Sequence, residues 1–217
     1  MASEKRQVAE RYSGEEGPMI PTNEGPAHLS GIANPAPMGL FAFASTTFML
    51  SMYNVSTRGI THSNVVVGMA IFAGGLTQFI AGMWEFPRGN VFGATAFSSY
   101  GAFWMSYAAI FIPSSGIMAA LIHAFGIYLA SWMMVTFFFL LAVIRRNMSY
   151  TLLLSALTLA FVCLTAAQFT GNPKLIKAGG VFGIITAFIA YYIGVSEVMA
   201  AEGTALFRLP LGVWATQ

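Results

Sequence analysis

Polar uncharged side chains recur inside the long apolar stretches of this 217-residue chain. Thr47 and Asn54 lie in the first stretch, Gln78 in the second and Tyr100 in the third. In hydrocarbon such groups need a partner or a water-lined cavity. Hydroxyl and amide donors along a narrow path can replace part of the hydration shell of a small solute. The pattern therefore favours a pore, although a single Ser or Thr commonly bonds its own helix backbone.

Two acidic residues touch the apolar stretches. Glu85 ends the second stretch, three residues before Arg88, and Glu197 lies late in the last stretch. Either carboxylate is a candidate for proton coupling, because ionisable groups in membrane segments often mark proton pathways. The alternative for Glu85 is an ion pair with Arg88 near the membrane surface, where pairing and snorkelling cost little.

The residues that most enzyme chemistry needs are missing. All eight acidic residues are Glu, the single cysteine is Cys163, and the three histidines are far apart in sequence. Neither an HExxH motif nor a P-loop is present. We therefore predict no catalytic residues, no metal site and no cofactor, and a net charge of +2 does not fit a nucleic-acid binder.

The composition is that of a membrane protein. Apolar types make up 57% of the chain and charged types 8%, against roughly a quarter charged in soluble domains. The apolar runs are continuous and do not alternate, which favours helices over a barrel. We predict an all-α membrane protein with six transmembrane helices around a pore in each protomer. The charge-free gaps accommodate spans at residues 35–57, 64–85, 90–112, 118–144, 149–170 and 177–200.

Charge also divides the chain into regions. Residues 1–33 are rich in charge, Gly and Pro and are predicted to be a disordered tail. Residues 34–203 form the six-helix transporter domain, and residues 204–217 form a C-terminal tail. With both tails in the cytoplasm, seven basic residues lie inside and three outside, in line with the positive-inside rule. This predicts a multi-pass protein of the cell membrane with both termini cytoplasmic.

Two glycine pairs have GxxxG spacing, Gly89/Gly93 and Gly179/Gly183. Such pairs allow close approach of helix backbones in lipid. We interpret them as packing within the bundle, with an oligomer contact as the alternative.

The first span opens on Asn34, Pro35 and Pro37. Proline fits the first turn of a helix, and Asn is a good N-cap. The positive end of this helix would face the cytoplasmic mouth of the pore, where it could attract a carboxylate. An Asn34 side chain that caps the helix is not free to bind substrate.

Four segments resemble the acetate uptake transporter family, which includes bacterial succinate–acetate permeases and fungal acetate transporters. Residues 34–40, which read NPAPMGL and include Gly39, are similar to the NPAPxGL signature of that family. Residues 72–78, 81–86 and 89–104 extend the resemblance, which covers residues 34 to about 212. It implies a six-span protomer, a homo-hexameric ring and a separate solute path through each protomer.

The resemblance also implies a hydrophobic constriction of Phe43, Tyr100 and Leu157. The three residues lie eight to ten residues into their helices, at similar depths of about 12–15 Å. Phe43, Thr47, Leu50 and Asn54 share one face of the first helix, which mixes apolar with hydroxyl and amide groups.

The function implied is transport of acetate, and of other small carboxylates, across a lipid bilayer. The residues leave open whether transport is channel-like or proton-coupled. One alternative is ammonium export, because an aromatic path can attract a cation. Another is a membrane sensor or scaffold that transports nothing.

Overall fold

The computed structural model describes residues 31–60, 65–117, 124–202 and 209–213. Within these ranges the chain is helical and contains no β-strand. Six long helices confirm the predicted all-α class. They are α1 (Ala36–Asn54), α2 (Val66–Glu85), α3 (Val91–Phe111), α4 (Phe125–Val143), α5 (Met148–Thr170) and α6 (Pro173–Ala201).

Some predicted regions lie outside the described residues. These are most of the N-terminal tail, the first six residues of the fourth span (118–123), and residues 203–208 and 214–217 near the C-terminus. The tail assignments stay predictions.

Asparagine starts three of the helices. The side chain of Asn90 accepts a hydrogen bond from the Gly93 N–H at 3.1 Å at the start of α3. Asn147 accepts from the Ser149 N–H at 2.8 Å in α5, and Asn172 accepts from the Lys174 N–H at 3.0 Å in α6. These contacts satisfy N–H groups that have no partner within the helix, so each helix begins at a defined residue.

Four of the helices, α2, α4, α5 and α6, are long and apolar enough to cross a membrane by length and composition. Helices α1 and α3 are of similar length but carry more small and polar residues, because they line the interior of the bundle. Large apolar side chains point outward from the lipid-crossing helices, such as Phe138 and Phe188, which are 62% and 60% exposed. The protein is therefore an all-α membrane protein, with six long helices in the described residues.

Helix α1 packs closely against α6 along a line of small residues, which we call the α1–α6 seam (Ser51, Gly180 and Gly183). A Cβ atom on Gly180 would lie 2.9 Å from the backbone oxygen of Ser51, and one on Gly183 would strike the Ser51 side chain. Gly179, by contrast, faces Leu164 of α5. The Gly179/Gly183 pair thus packs helices within one chain, as predicted. Gly89 is not helical and has a positive φ of 75° in the turn between α2 and α3.

Helices α3 and α4 meet through aromatic side chains. The ring of Phe103 stacks on Tyr128, with centroids 5.9 Å apart, and meets Trp132 edge-on at 5.1 Å. Large rings hold these two backbones apart, so space remains beside them in the middle of the bundle.

Residues 209–213 pack onto the bundle. Their carbonyl groups accept hydrogen bonds from Met148 N, Ser149 N and Ser149 Oγ at the start of α5. Tyr192 Oη and Ser196 Oγ on α6 donate to Pro210 O and Leu209 O at 2.6 and 2.7 Å. This short segment therefore ties the end of α6 to the start of α5.

Candidate functional site

Two cavities enter the bundle from opposite ends. We call them the Asn34-side cavity and the Asn54-side cavity, after the two ends of α1. The Asn34-side cavity measures about 400 Å³ and is lined by Arg88, Arg146 and Glu197 at its mouth. The Asn54-side cavity measures about 220 Å³ and is lined mainly by aromatic and aliphatic side chains, with Asn54 and Gln168 toward its mouth.

The two cavities meet at Phe43 and Tyr100, the only described residues that line both. The centroids of these two rings lie 5.6 Å apart. On α1, Leu40 lines the Asn34-side cavity and Thr47 lines the Asn54-side cavity. Phe43 therefore stands where the lining of α1 changes from one cavity to the other.

The lining residues of α3 and α5 also change from one cavity to the other at this level. On α3, Phe97 lines the Asn34-side cavity and Phe103 the Asn54-side cavity, with Tyr100 between them. On α5, Leu154 lines the first and Leu157 the second. The structure thus brings Phe43, Tyr100 and Leu157, which are far apart in sequence, to one level of the bundle.

The other residues predicted to line a path are divided between the cavities. Thr47, Leu50 and Asn54 all line the Asn54-side cavity, as expected for one helical face. Gln78 lines the Asn34-side cavity and is almost completely buried. Within the described part of the chain, Thr47 Oγ1 and Gln78 Oε1 have no hydrogen-bond partner. Both oxygens are buried, so each is a polar atom without a protein partner beside a cavity.

Asn34 makes two contacts at the start of α1. Its Oδ1 accepts a hydrogen bond from the Ala36 N–H at 3.1 Å, and its Nδ2 donates to Glu197 Oε2 at 2.7 Å. The helix begins at Ala36, so Pro35 precedes it and Pro37 lies in its first turn. Gly39 lies against the ring of Phe97, which a Cβ atom would approach to 3.0 Å. Both ends of the Asn34 carboxamide are occupied by the protein.

Glu85 is completely buried, and its Oε2 lies 3.6 Å from Nε of Arg88. Arg88 also donates to the backbone oxygen of Ile32 at 2.7 Å. The two acidic candidates therefore have different surroundings, since Glu85 lies beside an arginine and Glu197 accepts from the Asn34 amide.

Most of the sequence matches a known protein family. The GPR1/FUN34/yaaH family matches residues 17–212. This chain belongs to that family.

Relatives of this chain include proteins named for transport. The chain is 42% identical to Ammonia transport outward protein 2 of Saccharomyces cerevisiae, over 87% of this chain and 69% of that protein. It is 40% identical to Acetate permease A of Emericella nidulans, over 82% of this chain and 65% of that protein. It is 35% identical to the Succinate-acetate/proton symporter SatP of Escherichia coli, over 83% and 96%.

A solved structure has the same fold. The bacterial acetate channel SatP superposes with a TM-score of 0.76 at 34% sequence identity, covering 83% of this chain and 99% of that one. This family member therefore shares its six-helix architecture with a membrane channel.

Two features of this family member were missed by the sequence analysis. Residues Phe72–Thr77 form a π-helical segment within α2, where Gly74 lies against Thr46 and the ring of Trp104. The run Ala73, Gly74 and Gly75 is the local sign of this segment in the sequence. π-Helical turns often lie at functional positions. The second feature is Thr136 on α4, which accepts a hydrogen bond from the Tyr100 hydroxyl at 3.0 Å. No spacing rule predicts a contact between residues on separate helices.

Proposed function

We propose that this protein carries acetate, and other carboxylates of similar size, across a membrane through a path inside each protomer. One observation supports the proposal most strongly. Cavities from the two ends of the bundle meet at the level of Phe43, Tyr100 and Leu157. The relatives named for acetate transport and the acetate channel of the same fold give the substrate class.

In this proposal Phe43, Tyr100 and Leu157 form the constriction. The Asn34-side cavity is the larger of the two, and its arginines raise the local concentration of an anion. Thr47, Asn54 and Gln78 supply uncharged polar groups on either side of the constriction. Such groups bind a small anion weakly enough for it to leave.

Uptake of labelled acetate into proteoliposomes tests this proposal. Uptake into vesicles with reconstituted protein should exceed uptake into protein-free vesicles. Unlabelled acetate should reduce this uptake by competition, and ammonium should not. Acetate uptake equal to that of empty vesicles would favour a membrane sensor or scaffold, which needs no solute path.

Ammonium export is the second candidate. The Asn54-side cavity is lined by Phe103, Trp104 and Tyr107, and aromatic rings of this kind can attract cations. A relative is named for outward ammonia transport. Competition of the acetate flux by ammonium, or a labelled methylammonium flux without an acetate flux, would favour this alternative.

Proton coupling through a carboxylate would involve Glu85 or Glu197. Glu85→Gln and Glu197→Gln test this directly, because a glutamine keeps the shape and cannot ionise. Acetate accumulation driven by a pH gradient should fall sharply in the variant that removes the coupling group. Unchanged accumulation in both folded variants would exclude coupling through either carboxylate. Transport would then be channel-like, or the proton would be carried by the substrate itself.

We further propose that the protein is a homo-hexamer of the cell membrane with both tails in the cytoplasm. The start of α1 and residues 209–213 lie at the same end of the bundle, where Arg88 and Arg146 are also found. This agrees with the positive-inside rule. Native mass spectrometry of the detergent-solubilised protein tests the hexamer, and protease protection of tagged termini tests the orientation.

A further inference from the structure

The Asn34-side cavity is much larger than acetate requires. It measures about 400 Å³, which lies within the range of about 300–1,000 Å³ for pockets that bind drug-sized ligands. Acetate has a single methyl group beside its carboxylate. The cavity therefore has room for a considerably longer carboxylate than the proposed substrate.

Polar and apolar walls occupy different levels of this cavity. Arg146, in the turn before α5, lines the outer end. Further in, the walls are formed by Leu40 of α1, Phe97 of α3 and Leu154 of α5, and each of these side chains is no more than 7% exposed. The buried amide of Gln78 also lines the cavity. This division suits an amphipathic ligand, with an anionic head at the outer end and an alkyl chain further in.

Arg146 is the charged group best placed to bind an anion here. Arg88 Nε lies 3.6 Å from Glu85 Oε2. Glu197 Oε2 accepts a hydrogen bond from the Asn34 amide. Among the residues that the structure describes, no carboxylate lies within 4.0 Å of the Arg146 guanidinium. A guanidinium can bind a carboxylate through two parallel N–H donors, which makes Arg146 a suitable anchor for the head of such a ligand.

The distance from the outer end to the constriction fits a chain of medium length. At about 1.5 Å per residue, Leu154 lies about 9 Å along α5 from Met148, and Leu157 lies about 14 Å along it. An eight-carbon chain has seven C–C bonds of about 1.5 Å and spans roughly 9 Å when it is extended. A chain of this length, held at Arg146, covers the apolar walls and ends before the level of Phe43.

We propose that the Asn34-side cavity is a binding site for medium-chain alkyl carboxylates, such as octanoate, and that these anions inhibit acetate transport. Arg146 binds the carboxylate, and the alkyl chain packs against Leu40, Phe97 and Leu154. The inhibition rests on the proposed acetate transport, whereas the binding does not.

The inhibition follows from how long each anion stays bound. Each CH₂ group that is buried tightens binding about fourfold. Passage requires binding that is weak enough for the anion to leave again, and acetate with its one methyl group meets this condition. A longer chain stays on the apolar walls and occupies the path while it is bound.

Alkyl sulfonates test the binding site, because a sulfonate stays charged and does not cross the bilayer as a neutral acid. Isothermal titration calorimetry of the full-length protein in detergent, with protein-free micelles as background, compares ethanesulfonate, butanesulfonate, hexanesulfonate and octanesulfonate. The dissociation constant should fall by about two- to fourfold for each added CH₂ group. A dissociation constant that does not change with chain length would overturn the proposed site.

Two neighbouring arginines provide a matched pair of variants. Arg146→Gln should weaken octanesulfonate binding about tenfold, because it removes a charged hydrogen-bond donor. Arg145→Gln is the control, since Arg145 is exposed and does not line the cavity. Arg146 is exposed as well, so both variants should fold. Equal octanesulfonate affinity in the two variants would contradict the role of Arg146.

Labelled acetate uptake into proteoliposomes tests the inhibition. Octanesulfonate on both faces of the membrane should inhibit uptake near its calorimetric dissociation constant, whereas ethanesulfonate should need a concentration about tenfold higher or more. Octanesulfonate that binds without reducing uptake would overturn the inhibition. Acetate uptake no faster than in protein-free vesicles would refute the proposed function, and the calorimetry would still decide the binding site.

Discussion

The α1–α6 seam and the aromatic cluster around Tyr100 (Phe43, Tyr100, Trp132 and Phe139) show two ways of packing helices in one bundle. At the seam, glycine brings two backbones so close that a single added methyl group would meet the Ser51 carbonyl at 2.9 Å. At the cluster, rings with centroids 5.6 to 6.5 Å apart separate the helices. At the seam, small residues hold the two helices together, and Ser51 and Gly183 also form part of the wall of the Asn54-side cavity. At the cluster, Phe43 and Tyr100 lie between the two cavities. Residue size therefore decides how far apart the helix backbones lie in each region.

Substitution at the seam should have the largest effect on stability. Gly180→Val places side-chain atoms against the backbone of α1, which cannot move aside without separating the helices. We expect a loss of about 3 kcal/mol in the free energy of unfolding, at the upper end for overpacking. Thermal unfolding in detergent measures it. Gly68→Ala is the matched control, because a Cβ atom on Gly68 of α2 has nothing within 4 Å. Equal melting temperatures for the two variants would show that the seam is not tight.

Substitution within the cluster should alter selectivity more than stability. Phe43→Ala removes one wall of the constriction, so butyrate flux relative to acetate should rise about tenfold. The control on the same helix is Phe48→Ala, because Phe48 packs against the outward-facing Phe188, with ring centroids 5.8 Å apart. A similar gain in both variants would mean that the path does not pass Phe43.

A smaller effect is expected on the third side of the constriction. Leu157→Ala shortens an aliphatic side chain that lines only one cavity, so the same flux ratio should rise by about threefold, roughly half the free energy of the Phe43 change. Leu159, two residues further on, is 45% exposed on the outside of α5, and Leu159→Ala should leave the ratio unchanged. The two variants should be compared directly. A larger rise in the flux ratio for Leu157→Ala than for Phe43→Ala would indicate that the path is narrowest beside α5.

The weakest expected effect concerns the start of α1, where the Asn34 side chain bonds Glu197 of α6. Asn34→Ala removes the contact with Ala36 N and the bond to Glu197. Loss of such a cap costs about 1 kcal/mol, and a partly exposed site lies at the low end. Asn172→Ala removes an exposed cap that bonds only its own helix and should cost less. The same melting experiment compares the two, and a larger loss at Asn172 would contradict a role for Asn34 in joining α1 to α6.

The six helices could be predicted from the sequence, and the resemblance led to Phe43, Tyr100 and Leu157, because both have local signals. Charge-free runs separated by short polar segments indicate where the spans lie. The motifs around Phe43 and Tyr100 align these two residues with the family's pattern. The close packing of Gly179 and Gly183 follows equally from residue type and spacing.

Contacts between distant helices could not be predicted in this way. Thr136 lies in a nearly uniform apolar helix, and its hydroxyl has an ordinary bond to the carbonyl four residues earlier. Only the fold brings Tyr100, 36 residues away in sequence, within reach of it. The same holds for residues 209–213, whose carbonyl groups complete the start of α5 although no motif marks them.

The most direct test of the account is the modification of one engineered thiol in the path. In a Cys163→Ser background, Thr47→Cys places a thiol in the Asn54-side cavity just beyond Phe43. Treatment with a small methanethiosulfonate reagent should abolish labelled acetate uptake into proteoliposomes, because the adduct fills a cavity of about 220 Å³. Full uptake by protein whose thiol is shown by mass spectrometry to be modified would contradict a path between Phe43 and Tyr100.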